Sequence, residues 1–229
     1  MKQSILQPSI SVNKLGEFIY GSESKKRSIL KTIKFPSTFI NARYNQPKNA
    51  VIHFMLDEQH DLSILVSTRK KIDRGRGDSD WHRNNKVCCL KAMDELIICS
   101  NTILAPFLKY QAQHGLPKLY SSKVLAGVAI HLNPDIVLLD HGRQTIVGAI
   151  RLIFSKARPI AIDEGQVVAG LIKSHIESLY NVSLKSTNCI VLDVFHKRCI
   201  PAVNVFRYLE VKVEKACTEI MQLWPHITK

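Results

Sequence analysis

Residues 133–156 read NPDIVLLDHGRQTIVGAIRLIFSK, and the spacing of their apolar residues decides the fold. Residues 135–140 are a short run of Ile, Val and Leu between Asn133-Pro134 and the turn signal His141-Gly142-Arg143. Residues 145–155 then alternate. Ile146, Gly148, Ile150, Leu152 and Phe154 fall on one face, and Val147, Ala149, Arg151 and Ile153 on the other. A period of two marks a strand. Short joints between such runs make neighbouring strands antiparallel. Residues 123–132 have the same Val, Ile and Leu character, so three consecutive strands are expected over residues 123–155.

On either side the pattern is helical. Over residues 84–110, Val87, Leu90, Met93, Ile97 and Asn101 recur at helical spacing, with Leu104 and Leu108 beyond them. Pro106 implies a break there, and Gly115-Leu116-Pro117 ends the segment. Downstream, Asp163-Glu164 opens a helix, with Asp163 expected as its cap. Val167, Val168, Leu171, His175, Ile176 and Leu179 form the apolar stripe of that helix. Residues 189–195 read as a fourth strand and 199–203 as a short fifth. Residues 206–224 form the last helix, stopped by Pro225.

Residues 1–21, with Pro8 and Gly16 as breakers, read as an irregular lead-in. Residues 22–34 fit a short basic helix capped by Ser22 or Ser24. Helices are favoured again at 50–56 and 62–72. The expected organisation is therefore a mostly helical and irregular N-terminal extension, residues 1–83, and an α/β (or α+β) core, residues 84–229. The core order is α-β-β-β-α-β-β-α, a mixed sheet of four or five strands flanked by helices.

The chain has 229 residues, 45% of them hydrophobic, enough for a substantial core. It carries 32 Lys and Arg against 19 Asp and Glu, a net charge of +13. Such a surplus favours phosphates or acidic partners through long-range attraction. Six cysteines without a Cys-x-x-Cys pair fit reduced, mostly buried thiols and a cytoplasmic protein. No apolar run approaches the length of a membrane span. Nucleotide loops, dinucleotide fingerprints and nucleophile elbows are missing. Cys189, His196 and Cys199 offer three zinc-type ligands where a closed site takes four.

Residues 73–86, DRGRGDSDWHRNNK, read as a charged surface loop. Arg74, Arg76, Trp81, His82, Arg83 and Lys86 place cations beside one aromatic ring, a mixture that can hold a phosphate backbone and stack a base. A solvated loop anchored by Trp81 is the plainer alternative. Arg143, Arg151, Lys156, Arg158 and Lys173 flank the strand–helix face and could form a positive groove.

The order helix, three strands, helix, strand over residues 84–203, with Pro134-Asp135 on the second strand, resembles the PD-(D/E)XK nuclease superfamily. The resemblance implies an acid on the second strand and an acid-x-Lys on the third, together holding a divalent cation such as Mg2+ that activates water. On this pattern Asp135 is the first acid and Arg151 stands at the lysine position. Ala149 falls where the second acid belongs. Gln166 resembles the helix glutamine of RecB-type members. Glu95, on the preceding helix, is the substitute second ligand beside Asp135, with Asp140 and Asp193 as further acids. Arginine does not deprotonate and grips phosphate with a planar fork. The expectation is a protein that binds DNA or RNA on a nuclease-like scaffold with a degraded metal site. A Mg2+-dependent phosphodiesterase is its active version, and a non-enzymatic interaction module is the alternative from another class.

Overall fold

The structure is a computed structural model that describes residues 7–36, 43–75, 79–142, 144–203 and 207–229, with the backbone alone for Arg207. The chain runs β1 (Ser9–Ser11), α1 (Val12–Ile19), α2 (Glu23–Lys34), α3 (Asn45–Leu56), α4 (Ser63–Arg74) and α5 (Asp80–Asn101). It continues through β2 (Gln111–His114), β3 (Ser122–Leu125), β4 (Val128–His131), β5 (Ile136–Leu139) and β6 (Ile146–Ile153). It closes with α6 (Ile162–Tyr180), β7 (Cys189–Asp193), β8 (Arg198–Pro201) and α7 (Arg207–Leu223).

The fold is mixed α/β, with a five-stranded sheet in the order β2-β5-β6-β7-β8. Strands β5 and β6 pair antiparallel, as their tight joint requires. Strands β6 and β7 pair parallel, and the long α6 makes the crossover that a parallel pair needs.

The alternation read along β6 sorts its side chains between two cores. Ile150 and Leu152 pack with Ile136, Leu138, Ile190 and Leu192 against α3, α4 and α5. Ala149 packs with Val137 and Val191 against α1, α6 and α7.

The first of the three expected strands is not in this sheet. Residues 123–132 fold back on themselves as the β3–β4 hairpin, closed by Ala126 (φ 44°) and Gly127 (φ 81°). Two central residues at positive φ make the tight turn whose twist suits a hairpin. This hairpin belongs to a separate sheet, β1-β4-β3, with β1 parallel to β4. Its place beside β5 is taken by β2, a short edge strand whose sequence Gln-Ala-Gln-His shows no apolar alternation.

Residues 7–21 also differ from an irregular lead-in. Ser11 caps α1, its hydroxyl accepting from the Lys14 N–H at 3.3 Å. Gly16 lies inside that helix and lets α1 cross α6 closely. A Cβ there would stand 3.2 Å from the Glu164 carbonyl oxygen. Helix α2 is capped by Ser22, one of its two expected caps. Residues 73–86 are not one loop, because Ser79 caps α5 and the helix starts at Asp80. The N-cap of α6 is Ala161, so Asp163 and Glu164 serve as first-turn acids rather than as a cap. Among the described residues, no helix is long and apolar enough to cross a membrane.

Candidate nucleic-acid interface

Strand β5 begins just after Pro134-Asp135, and the Asp135 backbone already joins the sheet. Its N–H donates to the Ile150 carbonyl at 3.0 Å, and its own carbonyl accepts from Gly115 at 3.2 Å. The carboxylate then continues the ladder where the backbone leaves it. Oδ2 accepts from the Leu152 N–H at 2.7 Å. Oδ1 accepts from Arg151 Nη1 at 3.2 Å and pairs with Lys48 of α3. The Asp135 side chain is only 3% exposed, so the carboxylate is shielded from water, while Arg151 and Lys48 are partly exposed.

Arg151 is held from three sides. Besides Asp135, its Nη1 donates to the Asn133 carbonyl at 2.9 Å and its Nε donates to Asn13 Oδ1 of α1 at 3.2 Å. Asn133 is fixed in turn, since its Oδ1 accepts from Leu116 N–H at 2.7 Å. One buried carboxylate thus faces two cations, one reaching it from α3 and one rooted on β6. The structure brings Asp135 and Arg151 side by side. Sequence reasoning missed Lys48 and Asn13. Both lie far away in the chain, and no local pattern marks either.

The remaining acids occupy other settings. Ala149, at the second-acid position, is 2% exposed and sits between Val137 and Cys189 in the sheet. Glu95 on α5 pairs with Lys197 in the β7–β8 turn at 3.2 Å. Asp193 is fully buried and accepts from the Ile160 N–H at 2.9 Å, with His196 Nδ1 at 3.1 Å. Among the described residues, no three His, Cys, Asp or Glu side chains are grouped so as to hold a metal ion. Magnesium takes hard oxygen ligands. Asp135 already accepts from two cations and an amide, and Ala149 adds no oxygen, so this set does not fit that ion. Gln166 is half-buried near the start of α6.

Two of the buried thiols, Cys189 and Cys99, are held in the protonated form. Burial pushes Cys189 up to about 12 and Cys99 up to about 11. A thiol held so high stays protonated at neutral pH. His196 is engaged by Asp193, and Cys199 is exposed on β8.

A cleft of about 440 Å³ opens at the carboxyl end of β6. Asn13, Lys14 and Glu17 of α1, Lys25 of α2, Arg158 and the α6 residue Glu164 line it. In α/β sheets the carboxyl ends of strands are a common place for ligands. The cations here have carboxylate neighbours. Arg158 meets Glu164 at 3.1 Å, while Lys14 and Lys25 share Glu17 at 2.8 and 3.5 Å. Lys156 is exposed on the adjoining turn. Lys173 does not line this cleft. It pairs with Glu177 at 2.8 Å, and Glu177 also accepts from the Leu184 N–H, so it secures the segment after α6. Arg143 lies outside the described residues.

The second cation group is rebuilt by the early start of α5. Trp81, His82 and Arg83 stand on its first turn, with the Trp81 and His82 rings 5.0 Å apart. Arg83 pairs with Asp80 at 2.5 Å. Arg74 is exposed at the end of α4, and Arg76 lies outside the described residues.

No family model, curated protein or solved structure matches the chain. The chemistry of its own residues therefore carries the functional reading.

Proposed function

We propose that this chain binds DNA or RNA through backbone phosphates, on a PD-(D/E)XK-like scaffold, without cutting the strand. The observation that carries the reading is the Arg151–Asp135–Lys48 triad. Two cations on one buried carboxylate leave one positive charge over. The bonds of Arg151 use Nε and Nη1, so Nη2 is the guanidinium nitrogen left to reach a phosphate oxygen. A fork fixed in advance loses little entropy on binding. The cleft beside it and the net charge of +13 supply a path and a long-range attraction. The order α5, β2-β5-β6, α6, β7 supports the scaffold assignment. The donor set around Asp135 supports binding rather than metal-assisted hydrolysis, and no step is derived through Mg2+.

Fluorescence anisotropy with labelled DNA and RNA strands, across a salt series, tests this. Affinity is expected to fall steeply as salt rises. Arg151→Ala is expected to weaken binding about tenfold and to lower the salt slope by about one. Strands incubated with Mg2+ or Mn2+ are expected to remain intact. Absence of binding at low salt overturns the proposal. Cleavage that disappears in Asp135→Asn would replace it with the enzyme.

A second reading, an interaction module, rests on the exposed apolar residues Leu119 (81%) and Val124 (68%) around β3 and on Tyr208 and Val211 of α7. It predicts concentration-dependent association in light scattering that added nucleic acid does not alter.

A further inference from the structure

A separate pocket of about 350 Å³ lies where the start of α3, the end of α4 and the first half of α5 meet. Its polar walls are Asn45, Gln46, Lys71, His82, Asn85 and Lys86. The described residues that line it include no Asp and no Glu. Two ammonium groups, an imidazole and three amides thus converge on one hollow without a carboxylate to answer them. Three further features add to its positive character. Among the described residues, the amino end of α3 has no side-chain cap, and its first turn holds no acid to offset the positive end of the helix dipole. Ser79 Oγ accepts from the His82 N–H and meets His82 Nδ1 at 2.8 Å, which leaves Nε2 as the ring nitrogen for a ligand. Arg43, near enough for its charge to act on the Cys89 thiol of the pocket wall, has a buried Nε with no hydrogen-bond partner among the described residues.

Lys86 has a structural duty as well. Its ammonium donates to the carbonyls of Asp73 and Gly75 at the carboxyl end of α4. An ammonium has three hydrogens, so a third remains. Among the described residues, Lys71 and His82 donate to no backbone carbonyl.

We infer that the α3–α4–α5 pocket is a binding site for a phosphate group, with Lys71, Lys86 and His82 as its charged contacts and the amides as neutral donors. Its size suits a phosphate together with part of the molecule that bears it. A terminal phosphate of a nucleic-acid strand and a free nucleotide share this chemistry. The site contains none of the residues of the Arg151 cluster and stands if that cluster binds nothing.

Isothermal titration of the full chain at low salt provides the test, with inorganic phosphate, adenosine monophosphate, and an oligonucleotide carrying either a 5′-phosphate or a 5′-hydroxyl. Phosphate and the monophosphate are expected to bind, and the double variant Lys71→Ala/His82→Ala to bind them at least about tenfold more weakly. Lys118→Ala, at an exposed lysine that belongs to neither proposed site, is expected to leave both affinities unchanged, which separates loss of these two side chains from a general loss of positive charge. Both variants are checked for an unaltered circular dichroism spectrum. A 5′-phosphate that strengthens oligonucleotide binding, with the gain lost in the double variant, identifies a strand end as the source. Equal binding of the two oligonucleotides, with the monophosphate still dependent on Lys71 and His82, identifies a free nucleotide. No heat with any probe, or binding indifferent to the double variant, overturns the inference.

Discussion

Two basic regions of this molecule differ in what their cations face. Around β5 and β6, Arg151 and Lys48 meet the buried Asp135, and Arg158 meets Glu164. Around α3, α4 and α5, the ammonium groups of Lys71 and Lys86 line a hollow with no carboxylate among its described walls. Both regions add to the same net charge. The first uses most of its charge to hold the fold together. In the second, the Lys71 and Lys86 ammonium groups meet no carboxylate among the described pocket walls, and Lys86 donates to backbone carbonyls instead. Net charge therefore says little about where an anion settles until each cation has been matched with its acid.

The sharpest way to break this comparison is to remove the acid of the first region. Asp135→Ala leaves two cations and the Leu152 N–H without their acceptor, and about 3–5 kcal/mol of unfolding free energy is expected to disappear in a urea titration. An unchanged midpoint would mean that the triad does not hold the fold. A smaller loss, about 1 kcal/mol or less, is expected for Glu164→Gln, because Arg158 is half exposed and water screens the pair. In the second region, Lys71→Ala is expected to change stability by no more than about 0.5 kcal/mol while phosphate binding falls. A destabilisation like that of Asp135→Ala would make Lys71 structural and erase the contrast.

The subtlest expected effect is on pH dependence, measured by thermal unfolding across the acidic range. Burial holds the His175 imidazole below its ordinary value of 6.5, with Lys123 adding to the depression. Its Nε2 is 2.7 Å from the Tyr120 carbonyl, and Glu210 and Glu214 line the same hollow. The unfolded chain takes up this proton first. Stability is therefore complete above 6.5 and falls as pH drops from there through the lowered native value. His175→Gln is expected to flatten that part of the curve relative to the unaltered chain.

Much of the core is legible in the sequence, because period and punctuation are local. The alternation of residues 146–153, the stripe of α6 and the basic helix ended by Pro36 all follow from neighbours a few residues apart. What escapes such reading depends on distant chain. The polar strand β2 exists because β5 offers it a hydrogen-bonding edge. Helix α1 tolerates Gly16 because α6 needs the close approach. Ala126-Gly127 lacks the Asn or Asp that announces a tight hairpin, so one run concealed two strands. The same divide holds in the site. Asp135 and Arg151 are neighbours by strand register, and register is readable. Lys48 and Asn13 arrive from helices more than eighty residues earlier in the chain.

Strand β1 has a consequence for how the molecule is made. Ser9, Ile10 and Ser11 align with Ala129, Ile130 and His131, and Ser9 Oγ lies 2.7 Å from the ring of His131. A ribosome adds roughly 5–20 residues each second, so β1 waits on the order of ten seconds for its partner strand to emerge. Until then the apolar side of α1, with Val12, Leu15 and Phe18, has Ile29 and Leu30 of α2 to lie against but not the α6 and α7 residues that complete its core. That face of α1 is therefore expected to stay partly uncovered during translation until the later helices of its core are made.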